Sequence, residues 1–144
     1  MILEMKQTLT AIVTLLLFCL PAVVKAQDDK KQPTMEELAT QEADRLASLL
    51  DLEDWQLFYV DSTLQHDYVA MDAELKDLQK AKVGNTDLYV AAQDRWMEQI
   101  EKKYKEVFTE QQWAKYLKSG AARAQKARAK RQEKAAKAAA NGKK

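Results

Sequence analysis

Cysteine and histidine, two residue types that often bind metals or act in nucleophilic catalysis, each occur once in this sequence. The single cysteine is Cys19 and the single histidine is His66. A zinc site or a Cys–His catalytic pair needs several such residues close together, and Cys19 lies in an apolar N-terminal stretch far from His66. The sequence has no Gly-rich phosphate loop and no G-x-S-x-G turn. It therefore predicts no catalytic site, no metal site and no cofactor, and an enzyme is the least favoured class.

Carboxylates are the other candidates for chemistry. Several lie along one predicted helix: Asp61, Asp67, Asp72 and Asp77. No pair among them has a spacing that indicates acid–base catalysis, so they predict a solvated helix face. One alternative remains open, a metal-responsive protein in which Asp67 and Glu74 support His66. It predicts a thermal shift with zinc or copper that is lost when His66 is changed.

The N-terminus indicates the compartment. Residues 9–24 are almost wholly apolar, Lys6 precedes them, and small residues lead up to Ala26. This pattern is typical of a secretory signal peptide, residues 1–26, cleaved after Ala26. A membrane anchor is less favoured because a spanning helix needs roughly 20 apolar residues. We expect a periplasmic or secreted protein that loses Cys19 and has no disulfide.

Charge divides the rest of the chain into an acidic body and a basic tail. Residues 27–120 contain twelve Lys/Arg and twenty Asp/Glu, whereas 121–144 contain nine Lys/Arg and only Glu133 as an acid. The tail's apolar residues are all alanine, so it predicts a frayed helix or disorder. Behind a secretion signal, it favours anionic lipid or acidic protein partners over nucleic acid. The tail could equally solubilise the protein or screen its acidic body.

The body, residues 34–120, has the pattern of four helices after a flexible lead-in over 27–33. Thr34 with Glu37 forms a capping box that begins a helix to about Leu50. A second helix runs from Asp54 to about Lys82, and its apolar residues form a heptad-like seam. They are Leu57, Val60, Leu64, Tyr68, Met71, Leu75 and Leu78.

The second half of the body repeats these signals. Gly84-Asn85 predicts the end of the second helix through a left-handed glycine, and Asn85 or Thr86 caps a third helix to about Val107. Thr109 with Gln112 is another capping box that begins a fourth helix, and Gly120 ends the body. The predicted fold class is all-α: a long antiparallel helical hairpin with short flanking helices and a basic C-terminal tail. Exposed aromatic residues and the heptad seam also favour a homodimer, and a compact four-helix monomer remains the alternative.

Two five-residue stretches that begin the second and fourth helices are alike. Leu52, Glu53 and Gln56 stand in the first, and Phe108, Thr109 and Gln112 stand in the second. Both resemble the LTxxQ motif, which occurs twice in the Spy/CpxP family of periplasmic proteins. Glu53 departs from the motif because it replaces the threonine, so Asp51 or Glu53 is expected to cap with a carboxylate. The direct role predicted for both copies is structural, as helix caps.

The resemblance implies a small, all-helical, cradle-shaped dimer without disulfides. Members of that family act as ATP-independent chaperones, inhibit an envelope-stress sensor kinase, or sense metals. The aromatic residues near the helix ends are our candidates for binding clients: Trp55, Phe58, Tyr59, Trp113 and Tyr116. Large apolar groups beside charges bind exposed hydrophobic segments weakly and with little sequence preference.

The expected function is therefore that of an ATP-independent periplasmic chaperone or envelope-stress accessory protein that binds partly unfolded proteins. Two alternatives remain open. One is a regulatory protein that docks on a single envelope partner of the sensor type and saturates at a fixed stoichiometry. The other is an envelope-surface protein tethered by residues 121–144, whose function depends on the tail.

Overall fold

Five helices account for most of residues 32–142, the part of the chain described by the computed structural model. They are α1 (Met35–Leu50), α2 (Asp54–Lys80), α3 (Thr86–Val107), α4 (Glu110–Tyr116) and α5 (Ala122–Asn141). These residues include no strand, which confirms the predicted all-α class. None of these helices is both long enough and apolar enough to cross a membrane. The predicted signal peptide, most of the lead-in and residues 143–144 lie outside the described residues.

Local capping sets the boundaries of α1. The Thr34 N–H donates to Glu37 Oε2 at 2.8 Å and the Glu37 N–H donates to Thr34 Oγ1 at 3.2 Å, as the capping box predicts. The helix ends where Asp51 adopts a left-handed conformation, with φ of 52°. Aspartate tolerates this conformation better than most residues. Asp51 thus ends α1 and does not cap α2.

The turn between α2 and α3 differs from the prediction in one residue. Lys82, with φ of 54°, takes the left-handed conformation that was predicted for Gly84. The Val83 N–H then donates to the Leu78 carbonyl at 3.1 Å and closes the end of α2. Asn85 caps α3 by accepting from the Asp87 N–H at 3.0 Å. The predicted antiparallel hairpin is present, with an α2 of about 40 Å at 1.5 Å per residue.

The core lies at the end of the hairpin that also carries α1 and α4. α1 packs on α2, α2 packs on α3, and α4 packs on α1. The buried apolar side chains form one cluster: Ala39, Ala43, Leu46, Leu50, Val60, Leu64, Ile100, Tyr104, Val107, Phe108 and Tyr116. The seam residues beyond Leu64 are only half buried, because two helices alone cannot enclose them.

The tail forms a regular helix where fraying or disorder was the expectation. Gly120, with φ of 114°, bends the chain after α4 in a conformation that favours glycine. The twenty residues Ala122–Asn141 form α5, which packs against α3. Alanine and long basic side chains are strong helix formers. The prediction did not include the polar contacts between α5 and α3, which hold α5 in place although it has no apolar stripe.

Candidate functional site

Gln56 and Gln112, the last residues of the two motif copies, bond directly to each other. Gln56 Nε2 donates to Gln112 Oε1 at 2.8 Å, and Gln112 Nε2 donates back to Gln56 Oε1 at 3.0 Å. We call these two residues the glutamine pair. Each Oε1 also accepts the N–H of the residue three positions earlier, Glu53 at 3.0 Å and Thr109 at 2.9 Å.

The glutamine pair also closes the ends of two preceding helices. Gln56 Nε2 donates to the carbonyl of Val107, the last residue of α3, at 2.9 Å. Gln112 Nε2 donates to the carbonyl of Leu50, the last residue of α1, at 3.3 Å. Helix ends leave such carbonyls without intrahelical partners. The two copies therefore form one interlocked joint among α1, α2, α3 and α4, fifty-six residues apart in sequence.

Thr109 caps α4 as predicted, and Glu53 occupies the corresponding position before α2. The Gln112 N–H donates to Thr109 Oγ1 at 3.2 Å. Glu53 forms a capping box with Gln56 at the start of α2, and Glu53 Oε2 also accepts the indole N–H of Trp55 at 2.6 Å. The substitution of glutamate for threonine in the first copy thus orients an aromatic side chain at the start of α2.

Three of the five predicted client-binding residues lie on the surface. Trp55, Phe58 and Tyr59 are 57%, 75% and 40% exposed. Their spacing of three and four residues places them on one side of α2. We call these three residues the aromatic face. They are an exception to the usual pattern, in which the outer side of a surface helix is polar.

The other two predicted residues belong to the interior, which corrects the prediction for them. Tyr116 is 5% exposed and meets Tyr104 edge to face, with ring centroids 5.7 Å apart. Trp113 packs partly buried against the core, with its ring 5.3 Å from that of Tyr116. Burial and the nearby Glu101 carboxylate raise the pKa of the Tyr116 hydroxyl well above its ordinary value. A heptad pattern cannot assign the side of α4 that faces α1 because α4 has only seven residues.

A groove of about 330 Å³ runs between α1 and α2 beside the aromatic face. Its apolar lining comes from Ala43, Leu57 and Phe58, and its remaining lining residues are Thr40, Asp44, Asp54 and Asp61. No Lys or Arg occurs between Asp54 and Leu75, so the first five turns of α2 contribute only negative formal charge. We call this feature the acidic-rimmed groove.

Asp67 is buried, contrary to the prediction of a solvated carboxylate. It accepts from Lys103 Nζ at 2.9 Å across the α2–α3 interface, and His66 Nδ1 lies 2.7 Å from its Oδ1. Burial opposes ionisation of Asp67, but the bonds with His66 and Lys103 outweigh it and lower its pKa. The His66 side chain itself is mostly exposed, as predicted.

A second buried ion pair fastens the tail to the body. Arg128 of α5 is buried against the Glu101 carboxylate of α3, which also accepts from the Tyr116 hydroxyl at 3.0 Å and from Gln125 Nε2 at 3.0 Å. Arg131 adds a bidentate pair with Asp94 at 2.6 and 2.7 Å. Sequence reasoning missed these contacts. The sequence shows only that Arg128 and Arg131 are one helical turn apart and follow a helix that contains acidic residues. This spacing does not indicate that they pair with Glu101 and Asp94.

The remaining cations of α5 lie on another side of that helix and are exposed. They follow one another at intervals of three or four residues: Arg123, Lys126, Lys130, Lys134 and Lys137. This helical spacing makes them a basic stripe along α5, in which Lys137 pairs with Glu133 and Lys134 also lines a crevice against α3. The docking of Arg128 and Arg131 on acids of α3 is the screening contact that the sequence left open.

Metal chemistry finds no support among the described side chains. Within residues 32–142, no three His, Cys, Asp or Glu side chains come together as ligands. Comparison of the chain with protein families, with curated proteins and with solved structures finds no match. The resemblance to the Spy/CpxP family therefore rests on the two motif copies, the helical body and the predicted signal peptide.

Proposed function

We propose that this protein is an ATP-independent chaperone or stress accessory of the cell envelope that binds partly unfolded proteins. The observation that carries the proposal is the aromatic face: three large aromatic side chains exposed together on one helix. Contiguous exposed apolar surface of this kind marks binding sites for other molecules.

The helix that carries the aromatic face is firmly held on its other side. Gln56, Val60 and Leu64 are buried within the body and alternate with the exposed residues along α2. The aromatic side chains are thus presented by a fixed backbone, which lowers the entropic cost of binding. Nothing else in the described fold has to move to uncover them.

The size of the aromatic face suits weak, reversible binding. Covering three half-exposed aromatic side chains removes on the order of 300 Å² from water, which contributes about 7 kcal/mol at 25 cal/mol per Å². Association costs about 4–15 kcal/mol in lost freedom of motion. The aromatic face alone therefore leaves at most about 3 kcal/mol, a millimolar dissociation constant, so clients leave without ATP and tighter binding requires further contacts outside these three rings.

The chosen test is suppression of aggregation. The protein as isolated from cells is mixed with a chemically denatured model client without ATP, and light scattering is followed. We expect suppression near stoichiometric ratios by the native protein and its loss in Phe58→Ser/Tyr59→Ser. The matched control is Val69→Ser/Leu88→Ser, because both residues are exposed and apolar but lie outside the aromatic face. Absence of suppression by the native protein at several-fold excess contradicts the proposal.

A dedicated partner is the second candidate, and the basic stripe favours it. An exposed row of five cations on a docked helix presents a surface of fixed geometry, which suits one acidic partner or an anionic surface of the envelope. A pull-down from envelope extract that yields one stoichiometric protein would support this candidate, particularly if deletion of α5 abolishes capture.

We also propose that the protein is a homodimer through the far end of the hairpin. Met71, Leu75 and Leu78 are only half buried there, although they continue the seam of α2. A second copy would cover them as the third and fourth helices of a bundle. Sedimentation of a monomer at micromolar concentration would exclude this arrangement.

A further inference from the structure

We propose that the acidic-rimmed groove selects client segments in which Lys or Arg residues flank apolar ones. This inference rests on the proposed function and names the class of segment that the aromatic face binds. The groove combines an apolar lining, Ala43 and Leu57, with an exposed Phe58 ring. Thr40 and the carboxylates of Asp44, Asp54 and Asp61 complete the lining, and none of these three aspartates has an ion-pair partner among the described residues.

The distribution of charge over the fold supports the choice of a cationic occupant. Residues 35–75, which include α1 and most of α2, contain eleven Asp/Glu and one Lys/Arg, Arg45. That arginine is already paired with Glu42 at 2.7 Å on its own helix. Residues 76–144 contain eighteen Lys/Arg against eight Asp/Glu. A segment that approaches the groove therefore meets a negative field, which speeds the encounter with cations and repels anions.

The aromatic face adds a second preference for cations. The faces of Trp and Phe rings attract Lys and Arg side chains, by about 0.5–1 kcal/mol at exposed sites. Trp55 and Phe58 lie one turn apart beside Asp54. An apolar side chain in the groove with a neighbouring cation over a ring would use both features, whereas an acidic segment would place carboxylates against Asp44 and Asp61.

The binding test compares three labelled unstructured peptides of equal length by fluorescence anisotropy. One carries leucines flanked by lysines, one carries leucines flanked by glutamates, and one carries alanines flanked by lysines, each group separated from the next by glycine and serine so that no strand pattern forms. We expect the leucine–lysine peptide to bind at least about ten-fold more tightly than either of the others. Its affinity should fall when salt is raised from about 50 to about 500 mM, because salt screens exposed charges. Equal affinities for the lysine and glutamate peptides would overturn the inference.

Two double variants locate the effect. Asp44→Asn/Asp61→Asn changes the rim away from helix ends, and Asp77→Asn/Glu106→Gln makes the same change in net charge elsewhere on exposed positions. The first should weaken leucine–lysine binding about three- to ten-fold, from two surface charge pairs, and the second should not. Equal weakening by both would assign the preference to net charge and overturn the site.

Other outcomes separate this inference from the proposed function. Suppression of aggregation that is identical for basic and acidic clients keeps the chaperone function and rejects the selection. A dimer that Asp44→Asn/Asp61→Asn dissociates would show that a second copy's basic stripe occupies the groove, which also rejects it. Far-ultraviolet circular dichroism of each variant checks that the helices remain.

Discussion

Replacement of Gln56 by alanine tests whether the two motif copies act as one structural joint. The side chain is 2% exposed and makes four hydrogen bonds between 2.8 and 3.0 Å, with Glu53, Val107 and both ends of the Gln112 amide. A hydrogen bond contributes about 1 kcal/mol net, and a buried group left unpaired costs more. Water can replace the partner of the half-exposed Gln112. We therefore expect Gln56→Ala to lower the free energy of unfolding by about 3 kcal/mol, or the melting temperature by about 15 °C.

The assay is urea unfolding followed by circular dichroism, with Gln111→Ala as the matched control. Gln111 lies beside Gln112 in the same motif copy, but it is exposed, so its replacement should cost less than about 0.5 kcal/mol.

A double-mutant cycle isolates the glutamine pair. Gln56→Ala and Gln112→Ala each remove the two mutual bonds, so the double variant should lose about 2 kcal/mol less than the sum of the single losses. Additive losses would refute the joint, and so would a cost of Gln56→Ala no larger than that of the control.

Three further outcomes follow from the same contacts. Phe58→Ser should change stability by less than about 0.5 kcal/mol because Phe58 is already exposed, whereas Tyr116→Ser should cost about 3 kcal/mol; urea unfolding measures both. Arg128→Ala should leave Glu101 without its cation and raise amide exchange along α5, while the exchange of α1 stays unchanged. Folding lowers the pKa of Asp67, so its contribution to the free energy of unfolding is complete above the unfolded pKa of about 4 and is lost as pH falls through the folded pKa. Asp67→Asn should therefore flatten the dependence of the free energy of unfolding on pH below about pH 4.

The sequence predicts what depends on neighbours along the chain. Both capping boxes, the ends of α1 and α3 and the hairpin follow from side chains within four residues of the backbone groups that they satisfy. These features were predicted correctly because no distant residue decides them.

Features that depend on a distant partner were predicted less well. Asp67 looks like any solvated carboxylate until α3 brings Lys103 to it, and Arg128 looks like any tail cation until Glu101 covers it. Gln56 and Gln112 were expected to cap their helices separately. Their mutual bonds join residues fifty-six positions apart, and no local pattern indicates such a contact.

On a helix without charged residues, the aromatic face would promote self-association, because two copies could bury the same apolar surface against each other. Here Asp44, Asp54 and Asp61 surround it. Two like surfaces that meet face to face would bring together, from each copy, three carboxylates that have no ion-pair partner within residues 32–142. Exclusion of water by the apolar groups strengthens the repulsion between these like charges. The acidic rim thus opposes self-association through this surface and favours a cationic segment there. The homodimer proposed through the far end of α2 leaves the aromatic face open.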